Sequence, residues 1–526
     1  MTSDLSARAA DLRQAAAALA TTLHGVARME TTLACERAVL RLFGVSGLDR
    51  AGRPLAAEVV DRFAAGGSAP RRSDIALPFA VAAAEYELSP GDLALDVAAG
   101  NIDLALEAEL LDDPGRRAQA EALVAGWVAG AWQRFDPNRT ARVELLDLFG
   151  ESAMPRFAVE MPGLRAGEVG AASQVVVSGG ADLICVPVPA DRELRRRLGE
   201  EVERGGADVD PTAAPAGSQR GLNLIRAALD VAAAQSGRYV RLATRSVGLA
   251  EPEQAIVAGF ERIDAVFTDP LEAVVGFGVD PSRALADHAF AVALLARSGA
   301  TLVLGPGPLA VAPEMTRGEP PDPPTRIGRA LGLQALSVEL SRAGGLPDDR
   351  IDIAGLSREL LESPASVMQG LVELTLRSIT FPAHGLALEE PLPGEADPAW
   401  PIALTAWIGG GAAPALVMGR KATMAVAPAV REMRAAVAAG LALASARRRQ
   451  APTGEVAALA SQALEVALAT ITELADHGWE RLLGSAPVVG RRPETSSDDR
   501  GSAAGQVAPR AYLDLFTAAG DARLSA

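Results

Sequence analysis

Three junctions in the middle of the chain constrain its fold more than anything else in it. Ser178-Gly179-Gly180-Ala181-Asp182 runs into Leu183-Ile184-Cys185-Val186, Ser236-Gly237-Arg238 into Tyr239-Val240-Arg241-Leu242, and Ser298-Gly299-Ala300 into Thr301-Leu302-Val303-Leu304. In each, a helical stretch ends on glycine, which accepts the left-handed conformation that stops a helix. The run that follows is largely apolar on both faces, as in a parallel strand covered by helices. Helix starts repeat too: Asp280-Pro281 and Ser363-Pro364 each put a capping side chain before a proline at the first helical position.

Reading onward in this way gives strands at about 157–161, 183–188, 239–244, 264–268, 301–305, 351–354, 386–390 and 415–419. Strands alternating with helices in this number predict an α/β fold, a TIM (β/α)8 barrel. An open, doubly wound sheet is the alternative. The 526 residues exceed one barrel, so helical regions are expected on both sides of it. Residues 1–150 read as a helical N-terminal region, 151–422 as the barrel, 423–485 as C-terminal helices and 486–526 as a mostly disordered tail with a short helix. Near the start, Leu5, Ala9 and Leu12 open a helical stripe. Thr31-Thr32 is placed to cap a helix from Leu33 to Phe43, ended by Gly44, and Asp113-Pro114 to start another through Trp127 and Trp132.

Composition narrows the function. Net charge is −16, which opposes nucleic-acid binding, because phosphates need clustered cations. No uninterrupted run of about 18 apolar residues and no signal-type N-terminus is present, so no membrane span and a cytoplasmic location are expected. Cys35 and Cys185 offer no zinc spacing and no disulfide framework. His24, His288, His384 and His477 form no metal motif, so no metal site is expected. Asp287-His288 reads as a pair on the surface of an amphipathic helix. Lys421 is the single lysine, so a Schiff-base lysine is either Lys421 or belongs to another chain.

Candidate ligand groups fall where barrels bind ligands, beyond the C-terminal ends of strands. Arg245 and Ser246 follow the third strand, and an arginine beside a hydroxyl suits a phosphate. An ion pair of Arg245 with a neighbouring acid such as Glu251 is the plainer reading. Asp269 and Glu272 follow the fourth strand and are suited to a substrate ammonium; with Pro270 between them they equally suit a turn and helix start. Ser218 and Gln219 end the long loop after the second strand and are candidates to approach from the neighbouring unit. Gly305-Pro306-Gly307-Pro308 has no phosphate-loop lysine and reads as a turn.

The stretch Thr31-Thr32-Leu33-Ala34-Cys35-Glu36-Arg37-Ala38-Val39-Leu40-Arg41-Leu42-Phe43-Gly44-Val45-Ser46-Gly47-Leu48-Asp49 resembles the N-terminal signature of lysine 5,6-aminomutase alpha subunits, the large subunit of D-lysine 5,6-aminomutase. Pro54-Leu55 and Val59-Val60-Asp61 continue it. Gly180-Ala181-Asp182-Leu183-Ile184, Gly237-Arg238-Tyr239-Val240-Arg241-Leu242 and Glu261-Arg262-Ile263-Asp264 match further blocks in the same order. The resemblance implies a TIM barrel with extra helices that works with a beta subunit. That partner would carry the cobalamin-binding domain and the Schiff-base lysine for pyridoxal 5'-phosphate. The implied reaction is a radical one: adenosylcobalamin initiates it, and a terminal amino group moves to the adjacent carbon of a lysine-like amino acid. The chain itself has no DxHxxG motif to ligate cobalt, which fits reliance on that partner.

The sequence departs from the family pattern in the pocket. The family's phosphate-gripping arginine, at the end of the second strand, aligns with Val188, and no Gln-Ser follows it. The family serine after strand three aligns with Val247, a cofactor-contacting tyrosine with Glu272, and the acid-containing segment after strand five with Pro308-Leu309. The resemblance therefore implies an aminomutase subunit with an altered pocket. A non-catalytic barrel that serves or regulates a partner is the alternative, and an unrelated barrel lyase using Lys421 is a third.

Overall fold

The computed structural model describes residues 2–46, 54–65, 74–161, 164, 168–187, 219–245, 251–271, 274, 279, 281–305, 322–355, 364–391, 415–420, 426–446, 454–478 and 508–509. Eight parallel strands close into a barrel: β1 (Arg156–Glu160), β2 (Leu183–Pro187), β3 (Arg241–Arg245), β4 (Ala265–Phe267), β5 (Thr301–Leu304), β6 (Ile351–Gly355), β7 (Gly385–Pro391) and β8 (Leu416–Arg420). Each pairs with the next, and β1 pairs with β8, which excludes the open sheet. Gly180, Gly237 and Gly299 all take positive φ, at 81°, 65° and 72°. The three helix-stopping glycines therefore work as their sequence context predicts.

The barrel lumen is filled by small side chains at its centre and larger ones at either end. The strand register brings Ala158, Ala243, Val303 and Ala387 to one level. Cys185, Phe267, Ala354 and Met418 form the level above, and Leu183, Ala265 and Leu416 share the level below with Asp352. Ala158, Ala243 and Ala387 are each 0% exposed, so the large side chains at the flanking levels close over the alanines and leave no axial channel.

Before the barrel come α1 (Thr2–Ala27), α2 (Leu33–Leu42), α3 (Leu55–Ala65), α4 (Ala76–Glu85), α5 (Pro90–Ala99), the short α6 (Leu104–Glu107) and α7 (Pro114–Phe149). Thr32 caps α2 by accepting from the Cys35 N–H, and Asp113 caps α7 from Gly115 and Arg116. The barrel helices are α8 (Val169–Gln174), α9 (Gln219–Ser236), α10 (Glu251–Phe260), α11 (Pro281–Ser298), α12 (Pro323–Ala343) and α13 (Pro364–Thr380), and after β8 follow α14 (Val426–Ala446) and α15 (Gly454–His477). By length and composition α15 is apolar enough to cross a membrane. In the fold it packs against α12, where Gly328 and Gly332 let the backbones meet: a Cβ there would lie 2.4 Å from Ala463 O and 2.8 Å from Ala467 O. Ala508–Pro509 pair antiparallel with Glu30–Thr31. The rest of the tail, including the expected short helix, lies outside the described residues.

The N-terminal helices are tied to the barrel by buried charges. Arg142 of α7 bonds Asp264 Oδ1 at 2.8 Å through Nε, and also bonds the Ser298 and Ile263 carbonyls. Arg226 of α9, Tyr239 Oη and the Leu242 N–H complete the ring of donors around the same carboxylate. Burial alone would raise the Asp264 carboxyl. The guanidiniums of Arg142, Arg226 and Arg241, with the Leu242 N–H, outweigh it and hold the group below the usual aspartate value.

Candidate active site at the barrel mouth

Side chains alternate between the lumen and the helix layer along each strand. With Ala158 and Ala243 inward, Glu160 and Arg245 are inward as well, two residues nearer the C-terminal end. Arg245 Nε lies 3.9 Å from Glu160 Oε1, within ion-pair range and beyond hydrogen-bond length. Strand pairing sets Arg245 opposite Phe267, and its guanidinium lies 4.6 Å from the centroid of that ring. Such a cation–π contact attracts the guanidinium to the face of the ring. The two charged side chains keep 15% and 12% of their exposure, whereas Cys185, Phe267 and Met418 just beneath are closed to solvent. Glu160 and Arg245 therefore stand on a sealed floor. Among the described residues they are the first charged pair met on entering the mouth along the strands.

Asp269, just past the end of β4, has one carboxylate oxygen engaged in the turn that follows. Its Oδ1 accepts from the Leu271 N–H at 2.9 Å and from Ser337 Oγ of α12 at 2.9 Å, and the residue is 3% exposed. The carboxylate is engaged with the helix layer. Close by runs a buried polar chain: His288 Nδ1 is 2.7 Å from Glu251 Oε1, His288 Nε2 is 3.1 Å from Ser341 Oγ, and Ser341 donates to the Ser337 carbonyl. Two expectations are corrected here. Glu251 pairs with His288 and not with Arg245. Asp287-His288 is not a surface pair: both residues are buried, Asp287 against α2 and His288 between α10 and α12. Asp287 accepts from Thr32 Oγ1 and Cys35 Sγ, and Arg37 pairs with Glu253 of α10 at 2.9 Å. Burial raises the Asp287 carboxyl, with Arg283 and Thr32 opposing.

Gln219 is placed away from the mouth. Its amide nitrogen donates to Glu261 Oε1 at 2.7 Å and its oxygen accepts from Arg41 at 2.6 Å. Glu261 follows α10 and precedes β4, on the side where the strands begin, so Gln219 ties α2 to the outside of the barrel. Ser218, Ser246 and Glu272 lie outside the described residues, as do Val188, Lys421 and the Pro308-Leu309 segment. Of the candidates read from sequence, Arg245 is at the mouth and facing the lumen. Glu160 was missed there, though Arg-Phe-Ala-Val-Glu carries the alternation that turns its last residue inward.

Residues 5–307 match the family described as the D-lysine 5,6-aminomutase TIM-barrel domain of the alpha subunit. The chain belongs to this family. It is 24% identical to the lysine 5,6-aminomutase alpha subunit of Fusobacterium nucleatum subsp. nucleatum over 345 residues, covering 65% of this chain and 62% of that one. To the alpha subunit of Acetoanaerobium sticklandii it is 26% identical over 278 residues, 53% of this chain and 51% of the relative. It thus spans between half and two thirds of the curated relatives it matches, as a divergent member of the lysine 5,6-aminomutase alpha family. A solved rubisco-like protein from Burkholderia fungorum aligns over 62% of this chain and 68% of its own, at 17% identity and a TM-score of 0.35. The family match ends at residue 307, after β5, so β6, β7 and β8, which close the barrel, lie beyond it. The signature stretch of α2 lies inside it and is the segment that docks on α10 and α11.

Proposed function

We propose that this chain is the alpha subunit of an aminomutase that uses adenosylcobalamin and pyridoxal 5'-phosphate. It would move a terminal amino group to the adjacent carbon of a lysine-like amino acid. The observation that carries this reading is the family match over residues 5–307, together with a closed barrel that presents an arginine at its mouth. The guanidinium of Arg245 is the described donor set there that suits a phosphate or carboxylate, since its planar fork matches both. Arg245 would hold the cofactor phosphate, with Ser246 next to it in the chain. Phe267 keeps the guanidinium in place, and the closed level of Cys185, Phe267 and Met418 excludes water from below. Pyridoxal phosphate, when bound, supplies the carrier for the migrating nitrogen, and adenosylcobalamin supplies the radical that starts the reaction.

With Lys421 as its single lysine and no cobalt-ligating motif, the chain would depend on a beta subunit for the cofactor lysine and the cobalamin domain. The test is co-expression with a candidate beta subunit, purification through a tag on this chain, and borohydride trapping of pyridoxal phosphate followed by peptide mapping. The expected result is a stable complex labelled on the partner. Labelling of Lys421 in the isolated chain would overturn the reading in favour of a barrel lyase. A complex that binds neither cofactor would leave a non-catalytic partner subunit.

A further inference from the structure

The opposite, N-terminal end of the barrel gathers arginines that the reading above does not use. Arg156 opens β1 and Arg241 opens β3, each two residues before an inward alanine, so both side chains turn into the lumen at its N-terminal rim. Both guanidiniums donate to one carboxylate, that of half-exposed Glu151 in the link between α7 and β1, Arg241 at 2.7 Å. On the same rim, Arg139 and Arg142 of α7 and Arg350, just before β6, converge on Gly299. A Cβ there would lie 3.1 Å from Arg142 Nη1, 3.5 Å from Arg350 Nη1 and 3.9 Å from Arg139 Cγ. Burial, with Arg142, Arg241 and Arg139 near it, holds Arg350 below the usual arginine value against the pull of Asp349.

Part of this cluster is structural. Arg142 and Arg350 donate to the Ser298 and Gly299 carbonyls and so cap the end of α11, and Arg142 is held by Asp264. That leaves Arg139, which has no hydrogen bond or ion pair among the described residues, and two cations sharing the single charge of Glu151. The other acids do little to balance them. Asp349 is largely exposed and 4.0 Å from Arg350 Nε, and burial raises the Asp352 carboxyl inside the lumen against Arg156 and Arg241. In a chain of net charge −16, this is a local surplus of cations.

We propose that this rim is a binding site for a small, multiply charged phosphate-type oxyanion, which displaces Glu151 from Arg156 and Arg241. A guanidinium presents more N–H donors than either arginine uses here, and Arg156 Nε is buried without an acceptor. An added oxyanion recovers the cost of that unpaired donor. It also brings more charge and more acceptor oxygens than one carboxylate, so it relieves more of the repulsion among the guanidiniums. Releasing Glu151 sacrifices only a half-exposed ion pair, which is worth little. The closed levels of the lumen separate this rim from Arg245, so the site does not depend on the cofactor reading.

The test is titration calorimetry of the full chain with inorganic pyrophosphate, with sodium chloride at matched ionic strength as the control. Wild type should bind pyrophosphate saturably, and more tightly than inorganic phosphate. Glu151→Gln removes the competing charge and should tighten binding by about tenfold, the scale of one charge-assisted contact. Arg241→Gln should weaken it by about tenfold. Arg139→Ala, at an exposed position where folding is not at stake, should weaken it by about threefold. Arg245→Ala should leave this affinity unchanged. Binding lost in Arg245→Ala but kept in Arg139→Ala and Arg241→Gln would put the anion at the C-terminal mouth and overturn the proposal. So would heats that the chloride control reproduces, or the absence of saturable binding in Glu151→Gln, the form most open to an anion.

Discussion

At the scale of single residues, the mouth and the buried seam behind it make opposite demands on charge. Arg245 stands at the open mouth and not in the packed core, so its removal should spare the fold. Arg245→Ala is expected to weaken pyridoxal-phosphate binding by the reconstituted complex by roughly 2–3 kcal/mol, the worth of a lost charge-assisted contact, with an unchanged thermal midpoint. Cofactor titration beside a parallel melt checks both halves, and an unchanged affinity would remove Arg245 from the site. His288 is the reverse case. It is 1% exposed and bonded on both sides, to Glu251 and Ser341. His288→Ala opens a cavity and strips the partner from a buried carboxylate, a loss of about 3–5 kcal/mol. The expected result is a clearly lowered melting temperature, and a variant that melts with the wild type would show that Glu251 finds another partner.

Among the elements, the strands after Gly180, Gly237 and Gly299 were readable because each follows its own stop signal. A glycine in the left-handed region ends the helix, and a run apolar on both faces can only be a strand covered from both sides. That logic is local; it placed three strands, and short apolar runs placed the other five close to where they stand. What the sequence could not give was the layer outside the barrel helices. Asp287-His288 reads as a helix surface until α2 is known to cover Asp287 and α10 and α12 to enclose His288, and that packing depends on contacts between residues far apart in the chain, Thr32 to Asp287 and Arg37 to Glu253 among them. Asp269 was open between ligand contact and turn for the same reason: Ser337, which donates to its Oδ1, lies on a helix one strand further on.

The close approach of α12 and α15 is a further element-scale feature, and it can be measured. Gly332→Val places methyls where a Cβ alone would be 2.8 Å from Ala467 O, and α15 must move outward. Overpacking of this kind costs typically about 1–3 kcal/mol. At Gly25 in α1 nothing lies within 4 Å of an added Cβ, so Gly25→Ala should instead gain a few tenths to about 1 kcal/mol from helix propensity. Thermal melts of the two variants should move in opposite directions. Equal shifts would mean that α15 does not bear on α12 as described.

For the whole molecule, the decisive joint is the one that locks α7 and α9 onto the start of the barrel through Asp264. Its carboxylate is fully buried, accepts from Arg142, Arg226, Tyr239 and the Leu242 N–H, and is held below the usual aspartate value. A depressed carboxylate contributes stability that is complete above its unfolded value, about 3.9. That contribution is lost as pH falls through the lower, folded value, because below it the folded and unfolded states bind the same proton. Asp264→Asn keeps the shape but leaves two guanidiniums buried without their anion, which should cost about 3–5 kcal/mol at neutral pH. The gap between wild type and variant should therefore be widest near pH 7, begin to close below about pH 4, and narrow further in stronger acid. Denaturant or thermal unfolding at intervals from neutral pH into acid measures it. A gap that stays constant through the acid range would mean that Asp264 is not ionised in the fold. The interlock of the N-terminal helices with the barrel would then rest on packing and not on the buried charge.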